Sequence, residues 1–196
     1  MKFSMDIDDV VFDTTPPLLK TAWRNVIGRG KGKKFQPAAD WGFSNWPQAV
    51  IDEFIRLTKT GAALNAELCD KRIPYYLNQI TAGAQNGFIF ATSRPVEIAW
   101  LAFSQLWRNH VFLMKEQVRH VGLYGSKIEA LLEFGSQLHI DDAAHNVREC
   151  LDAGIDAVLI SNKATTWNHG QRNDFEHYPS LISALRARKL IRQFNA

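Results

Sequence analysis

The sequence predicts an α/β protein in which a parallel β-sheet carries helices on both of its faces. Short apolar runs alternate along the chain with segments of helical periodicity, and this order is typical of βαβ units. Parallel strands need crossover connections, so the intervening helices cover the sheet. The length of 196 residues is that of one domain and leaves room for a sub-domain.

Five apolar runs bounded by turns are the predicted strands. They span residues 3–11, 87–91, 118–124, 138–140 and 157–160. Apolar residues at helical spacing predict helices near residues 18–27, 50–57, 62–70, 73–85, 96–107, 128–132, 147–151 and 180–194. Thr14, followed by Pro16 and Pro17, predicts the start of the first helix, with the Thr14 hydroxyl as its cap.

The composition is that of an ordinary soluble globular protein, with 46% hydrophobic and 22% charged residues. A net charge of +3 favours anionic ligands without singling out nucleic acid. Cys69 and Cys150 form no CxxC pair, which argues against a disulfide scaffold and a zinc site. Acidic residues interrupt the first apolar run, and no run has the length of a membrane span, so we expect a cytoplasmic protein without a membrane partner.

Reactive side chains stand where the predicted strands end. They are Asp6 and Asp8, then Thr92, then Lys127, and finally Asp141 and Asp142. In open parallel sheets the ligand site lies beyond the carboxyl ends of the strands, so these side chains converge. Clustered carboxylates stay ionised together when a cation holds them, and their oxygens suit Mg²⁺. With a lysine and a hydroxyl, the set suits a transferring phosphoryl group.

These residues resemble the four motifs of the haloacid dehalogenase superfamily of phosphatases. The run 6–10, Asp-Ile-Asp-Asp-Val, resembles the first motif, DxDx[TV]; Thr92, Lys127 and the run 140–142 resemble the other three. The resemblance implies a Rossmann-like core formed by residues 1–13 and 81–196. It also implies a helical cap at residues 14–80, because the first two strands are farther apart than a simple crossover needs.

Within the superfamily, the sequence is most similar to the 5'(3')-deoxyribonucleotidases. Asp13 continues the first motif as in that family, and the run 90–93, Phe-Ala-Thr-Ser, is similar to its second motif. The run 41–43, Trp-Gly-Phe, is similar to an aromatic stretch of its cap. Asp9 stands where the family commonly has glycine, and aspartate tolerates the same turn conformations.

The resemblance implies a Mg²⁺-dependent phosphomonoester hydrolase that acts on nucleoside monophosphates. In this hypothesis Asp6 attacks phosphorus to form an aspartyl-phosphate, and Asp8, helped by a raised pKa, is the general acid and base. Mg²⁺ is held by Asp6, the backbone carbonyl of Asp8 and Asp142, while Asp141 supports Lys127. Lys127 and the Thr92 hydroxyl contact the phosphoryl oxygens.

Substrate contacts are assigned on the same basis. Ser93 and Arg94 are expected to contact the phosphate or the leaving group. Trp41, Phe43 and Trp46 lie among turn-forming residues and are expected to close over a nucleobase, although packing alone also explains such aromatic residues. Trp-rich surfaces also allow a homodimer.

The sequence leaves other functions open. The same core serves phosphatases of sugar phosphates or nucleic-acid 3'-phosphates, because function resides in the cap. A receiver-like phospho-acceptor uses similar residues, but that fold requires an acceptor aspartate at the end of a middle strand, and no suitable one lies between the N-terminal acidic residues and Thr92. The basic loop 28–34 and the basic segment 180–194 suggest a nucleic-acid-binding module, which predicts strongly salt-dependent binding. None of His110, His139, His145, His169 and His177 has metal-ligand spacing.

Overall fold

The computed structural model describes residues 1–28, 34–83, 87–94, 98–122, 125–162, 165–168 and 170–191. Within these ranges the strands are β1 Phe3–Met5, β2 Phe88–Thr92, β3 Val118–His120, β4 Leu138–Asp141, β5 Asp156–Ile160 and β6 His177–Tyr178. The helices are α1 Thr15–Ile27, α2 Gln48–Lys59, α3 Ile73–Gly83, α4 Ala99–Arg108, α5 Lys127–Phe134, α6 Ala144–Asp152 and α7 Leu181–Ala187.

The six strands form one parallel sheet in the order β3-β2-β1-β4-β5-β6. Side chains alternate between its two faces, as the period of a strand requires. Phe88 and Phe90 of β2 belong to the hydrophobic cluster that contains residues of α3, α4 and α7, whereas Ile89 and Ala91 pack with α5 and α6. The predicted α/β fold, with a parallel sheet between two helical layers, is confirmed.

A second hydrophobic cluster packs α1 against α2, and we refer to these two helices with residues 34–47 as the cap. Its buried residues include Leu19, Ala22, Val50 and Trp46. Helix α3 does not share this cluster, because Ile73, Leu77 and Ile80 pack under the sheet. The cap cluster therefore ends before α3, whereas the sequence places the boundary at residue 80.

Two adjacent segments connect the cap to the core. Phe12 pairs with Leu68 in an antiparallel bridge, and the backbone N–H of Asp13 donates to the carbonyl of Glu67 at 2.8 Å. The N–H of Cys69 donates to the carbonyl of Val11 at 2.9 Å. The chain thus leaves the core and returns to it at one place beside the end of β1.

Several predicted elements differ from the observed ones. β1 ends at Met5, because the chain then turns and the amides of Val11 and Phe12 both donate to the carbonyl of Ile7. The prediction of a helix over 62–70 is wrong except for a single 3₁₀ turn, Ala62–Asn65. The residues that follow this turn form the segment through which the chain returns to the core. The two-residue strand β6 was not predicted.

The start of α1 also differs from its prediction. The hydroxyl of Thr14 does not cap the helix, because it donates to the carbonyl of Phe12 at 3.3 Å. Oδ1 of Asp9 instead accepts from the backbone N–H groups of Thr14 at 3.0 Å and Thr15 at 2.9 Å.

Other predictions fall partly outside the described residues. The predicted residues that lie outside the described ranges are 29–33 of the basic loop, 84–85 of the helix predicted for 73–85, 96–97 of the helix predicted for 96–107, 123–124 of the third strand and 192–194 of the C-terminal helix. Among the described residues, none of the helices combines the length and the apolarity needed to cross a bilayer.

Candidate functional site

The ends of β1 and β4 bring three carboxylates together. Met5 is paired with Ile140 in the sheet, so Asp6 follows β1 at the level of Asp141 and Asp142. Oxygens of these three aspartates all lie within 4.8 Å of one another, and all three residues are buried. This is the convergence that the sequence predicts from strand ends.

Lys127 bridges two of these carboxylates. Its Nζ lies 2.8 Å from Oδ2 of Asp6 and 2.6 Å from Oδ2 of Asp141. Burial lowers the pKa of Lys127, but the charges of Asp141 and Asp6 outweigh burial and keep that pKa above its usual range. Ser126 fixes the start of α5, because its side chain accepts from the N–H of Ile128. Lys127 is therefore a charged, immobilised side chain.

Asp141 is surrounded by donors. Besides Lys127, its carboxylate accepts from Nε2 of His139 at 3.0 Å, from the N–H of Ala143 at 2.8 Å and from Nδ2 of Asn146 at 3.1 Å. Burial raises the pKa of Asp141, but Lys127 and His139 outweigh it, and that pKa falls below the usual range. With its oxygens occupied in this way, Asp141 supports Lys127, as the sequence predicts.

Sequence reasoning missed His139 and Asn146 as members of the site. His139 lies two residues before Asp141 on β4, so both side chains point to the same face of the sheet. That period of two was a usable signal, although His139 was expected only in a core or surface role. Asn146 lies in the first turn of α6, and nothing in its sequence context marked it.

Asp6 and Asp142 have the properties of ligands for a divalent cation. Oδ2 of Asp142 is buried and has no hydrogen-bond partner. Burial raises the pKa of Asp142 well above its usual value, and the charges of Asp9, Asp141 and Asp6 raise it further. Burial also raises the pKa of Asp6 to about 7, although Lys127 opposes this. A cation would offset this repulsion, and carboxylate oxygens suit Mg²⁺.

Asp8 is held by Arg94. Nε and Nη2 of Arg94 lie 2.9 Å and 2.7 Å from the two carboxylate oxygens of Asp8. Burial raises the pKa of Asp8, but the charge and hydrogen bonds of Arg94 outweigh burial, and the pKa falls below its usual value. The expected raised pKa of Asp8 is therefore wrong for this arrangement. The sequence did not reveal this pair, which joins two loops that are 86 residues apart.

Thr92 lies at the end of β2 and is fully buried. Its Oγ1 accepts from the N–H of Arg94 at 3.3 Å. Ser93 and Arg94 line the cleft described below, but Thr92 does not. Thr92 therefore holds the backbone of Arg94 in place, and its buried position does not support the predicted direct contact with phosphate.

A cleft of about 410 Å³ lies between the core and the cap. Its core side includes Asp6, Asp8, Arg94, Lys127 and Asp142, and its cap side includes Leu18, Trp41, Phe54, Ile55 and Thr58. The cleft therefore combines a charged floor with a largely apolar wall, a combination that is common in sites for small organic ligands.

Only one of the three predicted aromatic contacts lies in this cleft. The ring of Trp41 packs 5.8 Å from His145 and 5.4 Å from Trp167. Phe43 and Trp46 do not line the cleft; they are buried in the cap cluster, with ring centroids 5.8 Å apart. The prediction that Phe43 and Trp46 close over a base is corrected, because they form the interior of the cap.

Comparison with known protein families gives no match, and comparison with curated proteins gives no significant match. The functional argument for this chain therefore rests on the chemistry of its own site.

Proposed function

We propose that this protein is a Mg²⁺-dependent phosphomonoesterase of the haloacid dehalogenase type that works through an aspartyl-phosphate at Asp6. One observation carries the proposal: Asp6 lies in the cleft, 2.8 Å from Nζ of Lys127 and next to the unpartnered oxygen of Asp142. A carboxylate in this position can attack phosphorus while neighbouring positive charge neutralises the phosphoryl oxygens.

In the proposed first step, a carboxylate oxygen of Asp6 forms a bond to phosphorus, and the bond from phosphorus to the ester oxygen breaks. Lys127 neutralises charge on the phosphoryl group, while Asp141 fixes the position of its ammonium. Asp6 and Asp142 would hold Mg²⁺, which supplies further charge neutralisation and orients the phosphate. Water then attacks the aspartyl-phosphate, releases phosphate and regenerates Asp6.

Asp8 is the proposed general acid and base, and its pairing with Arg94 controls whether it is protonated. Nη1 of Arg94 is buried without a hydrogen-bond partner, and Arg94 lines the cleft. A phosphate dianion would compete with Asp8 for this guanidinium, because arginine binds phosphate oxygens in a two-point geometry. Release from Arg94 raises the pKa of Asp8, so that it can protonate the leaving oxygen and later accept a proton from water.

The proposed substrate is a deoxyribonucleoside monophosphate. The apolar cap wall and the Trp41 ring fit a planar, partly apolar base, and Ser93 and Arg94, which line the same cleft, are the proposed contacts of its phosphate. Cys69 and Cys150 are free cysteines, which agrees with the cytoplasm as the proposed compartment.

The test is phosphate release with Mg²⁺ across a panel of phosphomonoesters. The panel contains deoxy- and ribonucleoside monophosphates, sugar phosphates and an oligonucleotide with a 3'-phosphate. We expect preference for deoxynucleotides and loss of activity in EDTA. Activity confined to another member of the panel would keep the Asp6 chemistry and exclude the nucleotidase assignment, and inactivity on every member would contradict the proposal.

A further inference from the structure

The 3₁₀ turn Thr166–Asn168 lies between β5 and β6, and the proposed mechanism uses none of its residues. Trp167 is 4% exposed and Asn168 is 1% exposed, although both belong to a connection between strands. Connections usually run over the protein surface, because their backbone polar groups need water. The burial of these two side chains indicates that the turn has specific partners.

Asn168 holds the loop that carries Asp142. Its Nδ2 donates to the backbone carbonyl of Asp142, and its Oδ1 accepts from the backbone N–H of Ala144 at 3.4 Å. One amide side chain therefore contacts this loop on both sides of Ala143. Because Asp142 is a proposed ligand of the cation, Asn168 fixes the backbone from which that ligand extends.

Thr166 holds the irregular cap segment of residues 34–47. Its hydroxyl donates to the carbonyl of Ala38 at 2.9 Å, across 128 residues of sequence. Ala38 is itself buried in the hydrophobic cluster of the cap. The hydrogen bond thus connects the turn to the segment that carries Trp41.

Trp167 inserts into the cap from the core. It is buried in the hydrophobic cluster of the cap, and the other described members of that cluster all come from residues 18–63. Its ring centroid lies 5.4 Å from that of Trp41. Trp41 lines the cleft whereas Trp167 does not, so Trp167 acts on a ligand only through Trp41.

Three consecutive residues therefore contact both parts of the candidate site. Asn168 contacts the core loop with Asp142, while Thr166 and Trp167 contact the cap segment with Trp41. A 3₁₀ helix has three residues per turn, so successive side chains point in directions about 120° apart. One short turn can thus hold two different segments at the same time.

We propose that the turn Thr166–Asn168 positions the cation site and the base-binding wall relative to each other. Asn168 is the positioning residue for Asp142, and Thr166 and Trp167 are the positioning residues for Trp41. The inference rests on the proposed function, because it takes Asp142 as a cation ligand and Trp41 as the contact of the base. Its consequence is that substitutions at adjacent positions in one turn impair different functions.

Asn168→Leu tests the first role through Mn²⁺ binding, measured by electron paramagnetic resonance on the full-length protein freed of metal. Leucine has a similar size but makes no hydrogen bond, so the loop with Asp142 loses both contacts. We expect Mn²⁺ binding to weaken about ten-fold or more, as is typical when the support of a metal ligand is removed. Asn168→Ser keeps one hydroxyl, should bind Mn²⁺ with intermediate affinity, and is the variant used if Asn168→Leu fails to fold.

Asn78→Leu is the matched control. Asn78 also holds a loop at two points, since Nδ2 donates to the carbonyl of His110 at 2.7 Å and Oδ1 accepts from the N–H of Phe112 at 2.8 Å. It lies on α3 and does not line the cleft. We expect Asn78→Leu to lower Tm as Asn168→Leu does, but to change Mn²⁺ affinity by less than about three-fold.

Thr166→Val tests the second role, because valine keeps the shape of the side chain and removes the hydrogen bond to the cap. The measured quantity is the ratio of kcat/KM for a deoxynucleoside monophosphate to kcat/KM for deoxyribose 5-phosphate. We expect this ratio to fall about three-fold or more in Thr166→Val, and further in Trp167→Leu, while Mn²⁺ affinity stays within about three-fold of the wild-type value. In Asn168→Leu the two activities should fall together, so that the ratio is kept.

Thr21→Val is the control for Thr166→Val. The hydroxyl of Thr21 donates within α1, to the carbonyl of Pro17 at 2.9 Å, and Thr21 does not line the cleft. Its removal should change neither the ratio nor Mn²⁺ affinity.

The outcomes separate this inference from the proposed function. If the wild-type protein binds no Mn²⁺ and releases no phosphate, the proposed function fails together with the inference. If the wild-type protein does both, but the folded Asn168 variants bind Mn²⁺ as the wild type does, the inference alone is overturned. It is also overturned if Thr166→Val and Trp167→Leu keep the wild-type ratio of activities.

Discussion

The guanidinium of Arg94 donates two hydrogen bonds to the carboxylate of Asp8, with N···O distances of 2.9 Å and 2.7 Å. Because Arg94 holds the pKa of Asp8 below its usual value, the proposed general acid is ionised while this pair is intact. A phosphate that draws Arg94 away would make Asp8 a competent acid only when substrate is present. The pair thereby connects binding of the phosphate with proton transfer.

Replacing Arg94 by methionine tests this connection. We expect KM for a phosphomonoester to rise about ten-fold or more, because a charged hydrogen-bond donor to phosphate is lost. We also expect the alkaline limb of the kcat/KM profile to move to higher pH, since Asp8 loses the charge that lowers its pKa. Steady-state kinetics across a pH series measure both effects.

Arg72→Met is the control for Arg94→Met. Arg72 also forms an ion pair with an aspartate, but its side chain is 62% exposed and does not line the cleft. Its removal should leave KM and the pH profile unchanged. If Arg94→Met, checked for its fold by circular dichroism, keeps the wild-type KM and pH profile, Arg94 neither binds the phosphate nor controls the protonation of Asp8.

Replacing Asp6 by asparagine tests the nucleophile. We expect phosphate release to fall by about a thousand-fold or more. The fold should persist, because Lys127 keeps its contact with Asp141. Mass spectrometry of acid-quenched wild-type protein should detect a phosphoryl adduct on Asp6, and the variant should show none. Asp52→Asn, in the cap, is a control that should remain active; retained turnover in Asp6→Asn would refute the nucleophile assignment.

The sequence predicts the floor of the site well because strand ends obey a simple geometric rule. Parallel neighbours finish at the same edge of the sheet, so Asp6, Asp141 and Asp142 had to converge once β1 and β4 were adjacent. The position of Lys127 at the start of α5 followed from the same rule. These predictions needed only the order of the elements and their boundaries.

The contacts between loops were beyond prediction because they depend on side-chain direction. The pairing of Arg94 with Asp8, and of Asp9 with the start of α1, joins segments whose relative positions no periodicity specifies. Aromatic residues pose the same difficulty. Trp41 and Trp46 stand in one irregular segment, yet one lines the cleft and the other is buried in the cap.

The raised pKa values of the floor predict how cation binding depends on pH. The pKa of Asp6 is raised to about 7 and that of Asp9 to about 8, so the folded protein binds protons more tightly than the unfolded chain does. The stability that these protons provide is fully present below about pH 4 and is lost as the pH rises through 7 and 8.

We therefore expect Mg²⁺ to raise Tm more at about pH 8.5 than at about pH 6. At the lower pH, protons compete with the cation for these carboxylates, whereas at the higher pH the protons have already dissociated. Thermal unfolding in EDTA and in excess Mg²⁺ at the two pH values measures the difference. Asp142→Asn should reduce the effect at both values. An equal or larger Mg²⁺ effect at the lower pH would contradict the assignment of Asp6 and Asp142 to a cation site.

Substitution of His139 tests whether it holds Asp141, the partner of Lys127, in position. Its Nε2 donates to Asp141 at 3.0 Å while Nδ1 accepts from the hydroxyl of Ser4 at 2.9 Å, and burial lowers its pKa so that the ring is neutral at pH 7. His139→Leu removes one donor to Asp141, and we expect kcat to fall about ten-fold with little change in KM. His139→Gln keeps an N–H donor and should restore most of the activity.

His177→Leu is the control for His139, since His177 is exposed and lies on the edge strand β6. It should not affect kcat. The role of His139 in positioning Asp141 would be excluded if His139→Leu and His139→Gln lost the same fraction of activity, because packing alone would then explain both variants.

Trp41 tests the part of the proposal that concerns the base. The ring is 38% exposed on the cap side of the cleft, so it can present one face to a ligand while contacting His145 and Trp167. Stacking of a base on an aromatic ring contributes about 1–3 kcal/mol. We therefore expect Trp41→Ala to lower kcat/KM for deoxynucleoside monophosphates about ten-fold.

The same variant should leave hydrolysis of deoxyribose 5-phosphate unchanged, because that substrate has no base to stack. Trp100→Ala removes a more exposed tryptophan, 64% exposed on α4, and should affect neither substrate. Equal losses on both substrates would mean that Trp41 maintains the cap instead of contacting the base. Wild-type activity on both would place the base elsewhere in the cleft, leaving the phosphate chemistry at Asp6 untouched. Comparing the two substrates separates recognition of the base from catalysis, since Trp41 would contact only the base and Asp6 only the phosphate.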